Sequence, residues 1–200
     1  MEIKWLGHSS FRINLIYLDP YQIHETEKAS LILITHSHYD HFSQKDMNKI
    51  QSKDTIIITP EDIKIPSIKL KPFQETIQKG IKIQTIPSYN INKKFHPKEN
   101  NWLSYILEIE NKRILFCGDT DLIPEFNQLN DINIAFLPIG GTYTMNVVEA
   151  VEAVKIIKPK ITIPMHYGKI VGFKEDALKF KKSLLGFEVI VLEENQIVEL

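Results

Sequence analysis

Residues 35 to 41, "THSHYDH", follow the apolar run "SLILI" and put three imidazoles and one carboxylate into six positions. A turn needs only small, turn-forming residues, a role for which histidine is poorly suited. With seven His and nine Asp in 200 residues, composition alone produces H-x-H-x-D-H in about one such chain in a few thousand. Neutral imidazoles and carboxylates are the nitrogen and oxygen donors that zinc and similar divalent metals accept. Because a turn splays adjacent side chains toward different points, one short stretch can serve two metals.

One turn cannot complete two coordination shells, so further ligands must arrive from other strand ends. Asp119 in "CGDT" follows "RILF", His166 in "PMHYG" follows "KITI", and His96 lies in the polar stretch "KKFHPKEN". Taken singly, an Asp after a strand is a turn residue and a His is a hydrogen-bonded core or rim residue. Their joint placement raises all three to candidate ligands. His24 reads as a surface residue and Cys117 as a small buried one. Lys93, Lys94 and Lys98 read as solvating a loop, and Lys179, Lys181 and Lys182 as the wet face of a helix.

These side chains need strands that end where they begin. "EIKWL" and "FRINLIYLD" read as short strands separated by "GHSS", and "SLILIT" as a buried strand. Ser43 is placed to cap a helix carrying Met47 and Ile50. "TIIIT", "IPSIKLK" and "GIKIQTI" are β-branched strand runs, interrupted by the long polar loop "SYNINKKFHPKENN". "WLSYILEIE" and "RILFCGDTD" form a hairpin joined at "NKR". Val147, Val148, Val151, Val154 and Ile157 follow helical spacing, and Pro159 stops that helix. "KITIPMHYG" is a strand ending in a histidine. "KEDALKFKKSLLG" reads as an amphipathic helix stopped by Gly186, and "FEVIVL" and "QIVEL" as closing strands. The class is mixed α/β, in a single domain spanning residues 1–200.

Composition excludes more than it selects. Hydrophobic residues at 43% and charged residues at 24% match ordinary globular proteins rather than disordered or membrane chains. A net charge of -1 provides no general field for nucleic acid or an anionic membrane. The single cysteine closes no disulfide within the chain, and "MEIKWLGHSS" lacks the basic region and following apolar stretch expected of a secretory leader. The expected location is the cytoplasm. The expected partner is a small-molecule substrate, with no nucleic acid and no membrane, and homo-oligomerisation is left open.

Read in order, "WLGHSSF", "DP", "THSHYDH", "GDTD", "LPIGGTYTM" and "IPMHYG" resemble the metallo-β-lactamase-like hydrolases along nearly the whole chain. The resemblance is to their small stand-alone members related to L-ascorbate-6-phosphate lactonase. It implies a four-layer αββα sandwich with a metal cleft at one edge. By motif, His36 and His38 would bind a first metal, Asp40, His41 and His166 a second, and Asp119 would bridge the two. His38 stands where related flavodiiron proteins place a carboxylate, which favours hydrolysis over oxygen reduction. The family's usual third ligand to the first metal is a histidine at the place of "PSYN", where this chain has Asn90. His96 or His8 is left to replace it, and His96 is the preferred reading.

The implied cofactors are two divalent ions, zinc foremost, with manganese or iron as alternatives. The implied activity is attack by metal-bound hydroxide on a small ester, lactone or phosphorylated metabolite. Two other readings stay open, a phosphodiesterase acting on nucleic acid or phospholipid and a non-catalytic metal- or ligand-binding protein. Asp40 would orient the hydroxide, His8 and Asp19 would supply supporting hydrogen bonds, and Asn90 and Tyr143 would contact substrate.

Overall fold

The computed structural model describes residues 1–200, which form two compact units, Met1–Leu70 with Leu192–Leu200, and Lys71–Val191. Each unit contains one seven-stranded sheet.

In the first unit the strands are β1 (Glu2–Gly7), β2 (Ser10–Ile13), β3 (Ile16–Leu18), β4 (Leu31–Leu33), β5 (Ile56–Thr59), β6 (Ile68–Lys69) and β14 (Ile197–Glu199), with helix α1 (Gln44–Ile50) after β4. Their order across the sheet is β14-β1-β2-β3-β4-β5-β6. The β14, β1, β2 and β3 neighbours pair antiparallel, whereas β3 to β6 run parallel. "FRINLIYLD" is two strands rather than one. Asn14 takes a positive φ of 49° and Leu15 is exposed, so the chain turns there and β3 pairs back on β2.

The apolar run in β4 is explained by burial on both faces. Leu31, Ile32, Leu33 and Ile34 are all fully buried, as expected of a parallel strand inside a sheet. Ile32 and Ile34 join Tyr17, Ile57 and the α1 residues Met47 and Ile50 in one apolar cluster. Ser43 caps α1 as expected, its hydroxyl accepting from the Asp46 N–H.

The second unit contains β7 (Glu75–Gln78), β8 (Ile81–Pro87), β9 (Leu103–Ile109), β10 (Lys112–Phe116), β11 (Ile134–Pro138), β12 (Ile161–Met165) and β13 (Glu188–Val189), with helices α2 (Val147–Ile157) and α3 (Lys174–Lys182). The order β13-β12-β11-β10-β9-β8-β7 is parallel from β13 to β10 and antiparallel beyond. Two tight hairpins turn on paired positive-φ residues, Lys79-Gly80 and Glu110-Asn111, the geometry that matches strand twist. The first hairpin supplies β7, a strand whose half-exposed, polar sequence hides it from a hydrophobic reading.

Asn146 and Glu149 form a reciprocal capping box at the start of α2. Ala150, Val151, Ala153, Val154 and Ile157 face inward, but Val148 is 72% exposed. At 100° per residue it falls roughly 150° from the centre of that stripe. Helix α3 ends at Lys182, four residues before Gly186, which occupies a turn closed by Phe187 N–H donating to Leu184 O.

Tyr17, buried in the first unit, donates its hydroxyl to Glu27 O at 3.0 Å. Burial pushes its pKa from 10.0 to about 12, opposed by the charge of Arg12. The native state therefore keeps this proton where the unfolded chain loses it, so the stability contribution is complete below pH 10 and lost as pH rises toward 12. Urea unfolding across this range should show that decline, and Tyr17→Phe should flatten it; an equally steep decline in the variant would exclude Tyr17 as its source.

Candidate metal centre

In the first unit the candidate side chains leave the sheet at the β1–β2 turn and at the C-terminal ends of β3 and β4, the edge at which open α/β sheets place ligands. His8 sits in that turn at φ 51°, and Asp19 follows β3 at φ 44°. For residues other than glycine this left-handed conformation is strained, and such strain gathers at functional sites. His8 is held by the Trp5 indole N–H donating to its carbonyl oxygen at 3.0 Å.

Asp19 is fully buried, and its carboxylate accepts three hydrogen bonds. The Thr35 N–H donates to Oδ1 at 2.7 Å, the Thr35 hydroxyl to Oδ2 at 2.6 Å, and His41 Nδ1–H to Oδ2 at 2.7 Å. Burial pushes the Asp19 carboxyl pKa up, against the opposing effects of His41 and Thr35. The geometry assigns tautomers. A carboxylate only accepts, so His41 carries its proton on Nδ1. With the Thr35 hydrogen given to Asp19, the 2.9 Å contact between Thr35 Oγ1 and His36 Nδ1 is donated by the ring. Both imidazoles therefore keep their Nε2 lone pairs for a Lewis acid, as a carboxylate behind a metal-ligating histidine ensures.

The His36 ring lies 4.0 Å from that of His41 and 4.8 Å from that of His38, centroid to centroid. Asp40 Oδ2 is 3.1 Å from His8 Nε2 and 3.8 Å from His41 Nε2. The turn itself is closed by the His41 and Phe42 N–H groups, both donating to His38 O.

In the second unit Asp119 and His166 follow the ends of β10 and β12, strands with parallel neighbours, and His96 comes from the polar loop after β8. His96 Nε2 and His166 Nε2 approach the same Asp119 oxygen, at 3.2 and 3.0 Å. All three are buried. His166 leaves β12 at φ 59°, and Gly140, after β11, makes room for it. A Cβ on Gly140 would lie 2.3 Å from His166 O and 3.1 Å from its Nδ1, so the first glycine of "GGTYTM" serves close approach. Ser88 and Thr120 tie the segment after β8 to the Asp119 loop.

Asn90 and His96 are joined within the polar loop, where the His96 N–H donates to Asn90 Oδ1 at 3.0 Å. Tyr143 is half-buried, with its ring edge-on to Phe95 at 4.8 Å. Sequence reasoning passed over Asp121. This buried residue takes Lys93 as an ion-pair partner and accepts from Asn90 and the Ile91 N–H. Lys98 is likewise paired, with Glu125 at 3.0 Å. The lysines expected to solvate the loop are instead two of its fasteners. The available signal was the second acid in "GDTD", two residues after Asp119.

Each set of donors fits a divalent cation: imidazole nitrogens, those of His36 and His41 fixed from behind, and buried carboxylate oxygens are suitable ligands for zinc, manganese or iron. The beta-lactamase superfamily domain matches residues 2–166. The chain belongs to this superfamily. Among its relatives, a UPF0173 metal-dependent hydrolase of Nanoarchaeum equitans is 33% identical over the full length of both chains. The crystal structure of a Parabacteroides distasonis protein assigned as a metal-dependent hydrolase is 33% identical, covers 97% of this chain and 93% of its own, and superposes with a TM-score of 0.86. A metallo hydrolase of Ignicoccus hospitalis, 23% identical with 98% and 97% coverage, shares the fold at a TM-score of 0.83. The fold of this metal-dependent hydrolase is thus the metallo-β-lactamase α/β sandwich.

Two substitutions test the scaffolding. Asp19→Asn sets an amide N–H₂ against at least one of three donors and should cost ~1–3 kcal/mol. Gly140→Ala should cost a similar ~1–3 kcal/mol through overpacking against His166. Urea denaturation of the metal-free protein measures both; losses below about 0.5 kcal/mol would show that these contacts are not structurally required.

Proposed function

We propose that this metal-dependent hydrolase holds two divalent ions through His36, His38, Asp40, His41, His96, Asp119 and His166, and cleaves a small ester, lactone or phosphorylated metabolite. Zinc is the foremost candidate, with manganese or iron as alternatives. The observation that carries the reading is the pair of imidazole nitrogens converging on one oxygen of buried Asp119, an arrangement suited to a carboxylate that bridges metals.

Divalent ions in such a site polarise a carbonyl or phosphoryl oxygen and make water a nucleophile near neutral pH. The protein's own groups supply position and proton handling. Asp19, acting through His41 and Thr35, fixes which imidazole nitrogens are basic. Asp40 accepts a hydrogen of the attacking water and aims it, while His8, 3.1 Å from Asp40 Oδ2, holds that carboxylate in place. The half-buried Tyr143 ring offers substrate an apolar edge.

The charge distribution supports a small substrate over a nucleic acid. The net charge is -1, and Lys93 and Lys98 are engaged by Asp121 and Glu125. No helix is long and apolar enough to cross a membrane. We place the protein in the cytoplasm, because Cys117 is its single cysteine and lies buried, so its thiol requires no oxidising compartment.

Elemental analysis of gently purified protein should find about two metal ions per chain, and Asp119→Ala should remove most of this metal while the protein stays folded. Turnover should be measured on aryl esters, lactones, sugar phosphates and bis-aryl phosphates. Full folding with stoichiometry near zero would sink the metal reading. Metal binding without turnover of any class would favour a binding protein, and turnover confined to the bis-aryl phosphates would favour a phosphodiesterase.

A further inference from the structure

We propose that Asn90 is a positioning residue whose side-chain oxygen locks His96 in the Nδ1–H tautomer, so that Nε2 is the nitrogen offered to metal; the inference rests on the reading of His96 as a metal ligand. The position where the family resemblance leads one to expect an imidazole thus holds an amide that aims the imidazole six residues later.

The orientation of the Asn90 amide has one solution. The backbone N–H of His96 donates to Asn90 Oδ1 at 3.0 Å, while Asn90 Nδ2 lies 2.9 Å from Tyr143 O and 3.1 Å from Asp121 Oδ1. Flipping the amide would set N–H₂ against a backbone N–H and oxygen against a carbonyl and a carboxylate. Oδ1 therefore faces His96, and His96 Nδ1 is 3.1 Å from that same oxygen. A carbonyl oxygen only accepts, so the ring donates and the proton resides on Nδ1. The opposite tautomer would direct two lone pairs at each other across this buried contact. Free imidazole side chains in water favour the proton on Nε2, so this loop reverses the intrinsic preference. The nitrogen left basic is set by the hydrogen bond made by its partner.

The lock has its own support. Asp121 accepts from the Ile91 N–H at 2.9 Å and pairs with Lys93, whose ammonium also donates to Thr144 O at 3.1 Å. The Asn90 N–H donates to His96 O at 2.8 Å, closing the backbone of residues 90 to 96 on itself. All four hydrogen-bonding positions of the Asn90 amide are taken, two by His96 and two by Asp121 and Tyr143 O, which assigns it to His96 rather than to substrate.

The test is ¹⁵N NMR of histidine-labelled, metal-free protein at a pH where the ring is neutral, followed by zinc titration. The wild type should show His96 protonated on Nδ1. Asn90→Ala, which removes the acceptor with a smaller side chain, should lose that signature. Asn90→Leu should move the proton to Nε2 and weaken zinc binding by about 10-fold or more. A wild-type His96 protonated on Nε2 would overturn the proposal, as would Asn90→Leu with an unchanged tautomer. If Asn90→Leu fails to fold, the wild-type and Asn90→Ala spectra decide. Wild-type protein that shows the Nδ1–H signature yet binds no zinc would instead refute the metal reading and leave the tautomer assignment standing.

Discussion

Control of imidazole tautomers is the constraint around which each unit is arranged. A histidine is a ligand only through a nitrogen that carries no proton, and a free side chain does not fix which nitrogen that is. Here the chain grips three rings by Nδ1. Asp19 holds His41 directly and His36 through the Thr35 hydroxyl, and Asn90 holds His96. Burial makes these grips consequential. A carboxylate at zero exposure is costly unless its lone pairs are filled, and the three donors around Asp19 fill them.

Backbone geometry supplies the positions that these hydrogen bonds refine. His8, Asp19 and His166 all lie at positive φ, each at a turn or strand end, where the chain must change direction within one residue. Glycine would adopt that conformation with less strain, yet these positions need side chains that glycine lacks. Sheet pairing on one side and local hydrogen bonding on the other hold the strained backbone, as with Trp5 bonded to His8 O. Gly140 is the reverse case. No side chain is needed there, and space is left for the His166 backbone. At Gly140 the absence of a side chain permits close approach, whereas His8, Asp19 and His166 keep their side chains at the cost of backbone strain.

Much of this was legible in the sequence. The histidine turn, the strand before it and the Ser43 cap were readable because apolar runs and capping residues act over a few positions. Three kinds of feature were not. β7 is half-exposed and lacks an apolar face, and Val148 mimics a core residue while pointing away from the core. The Lys93–Asp121 pair joins residues 28 apart in the chain, so composition shows a polar loop where the fold has a fastened one.

The polar loop illustrates why site residues are harder to read than strands. Its sequence, "SYNINKKFHPKENN", suggests solvent exposure, and most of its residues are exposed. Ser88, Tyr89, Asn90 and His96 are buried, and Asn90 and His96 are bonded to each other. A long loop can bury a polar pair only if each polar atom finds a partner. Asp121, Tyr143 O and the loop's own backbone provide those partners. The lysines that make the segment look soluble also help to close it, through Asp121 and Glu125. Loop closure and ring orientation are consequently one network: the ion pair that fixes Asp121 also fixes the amide, and the amide fixes the ring.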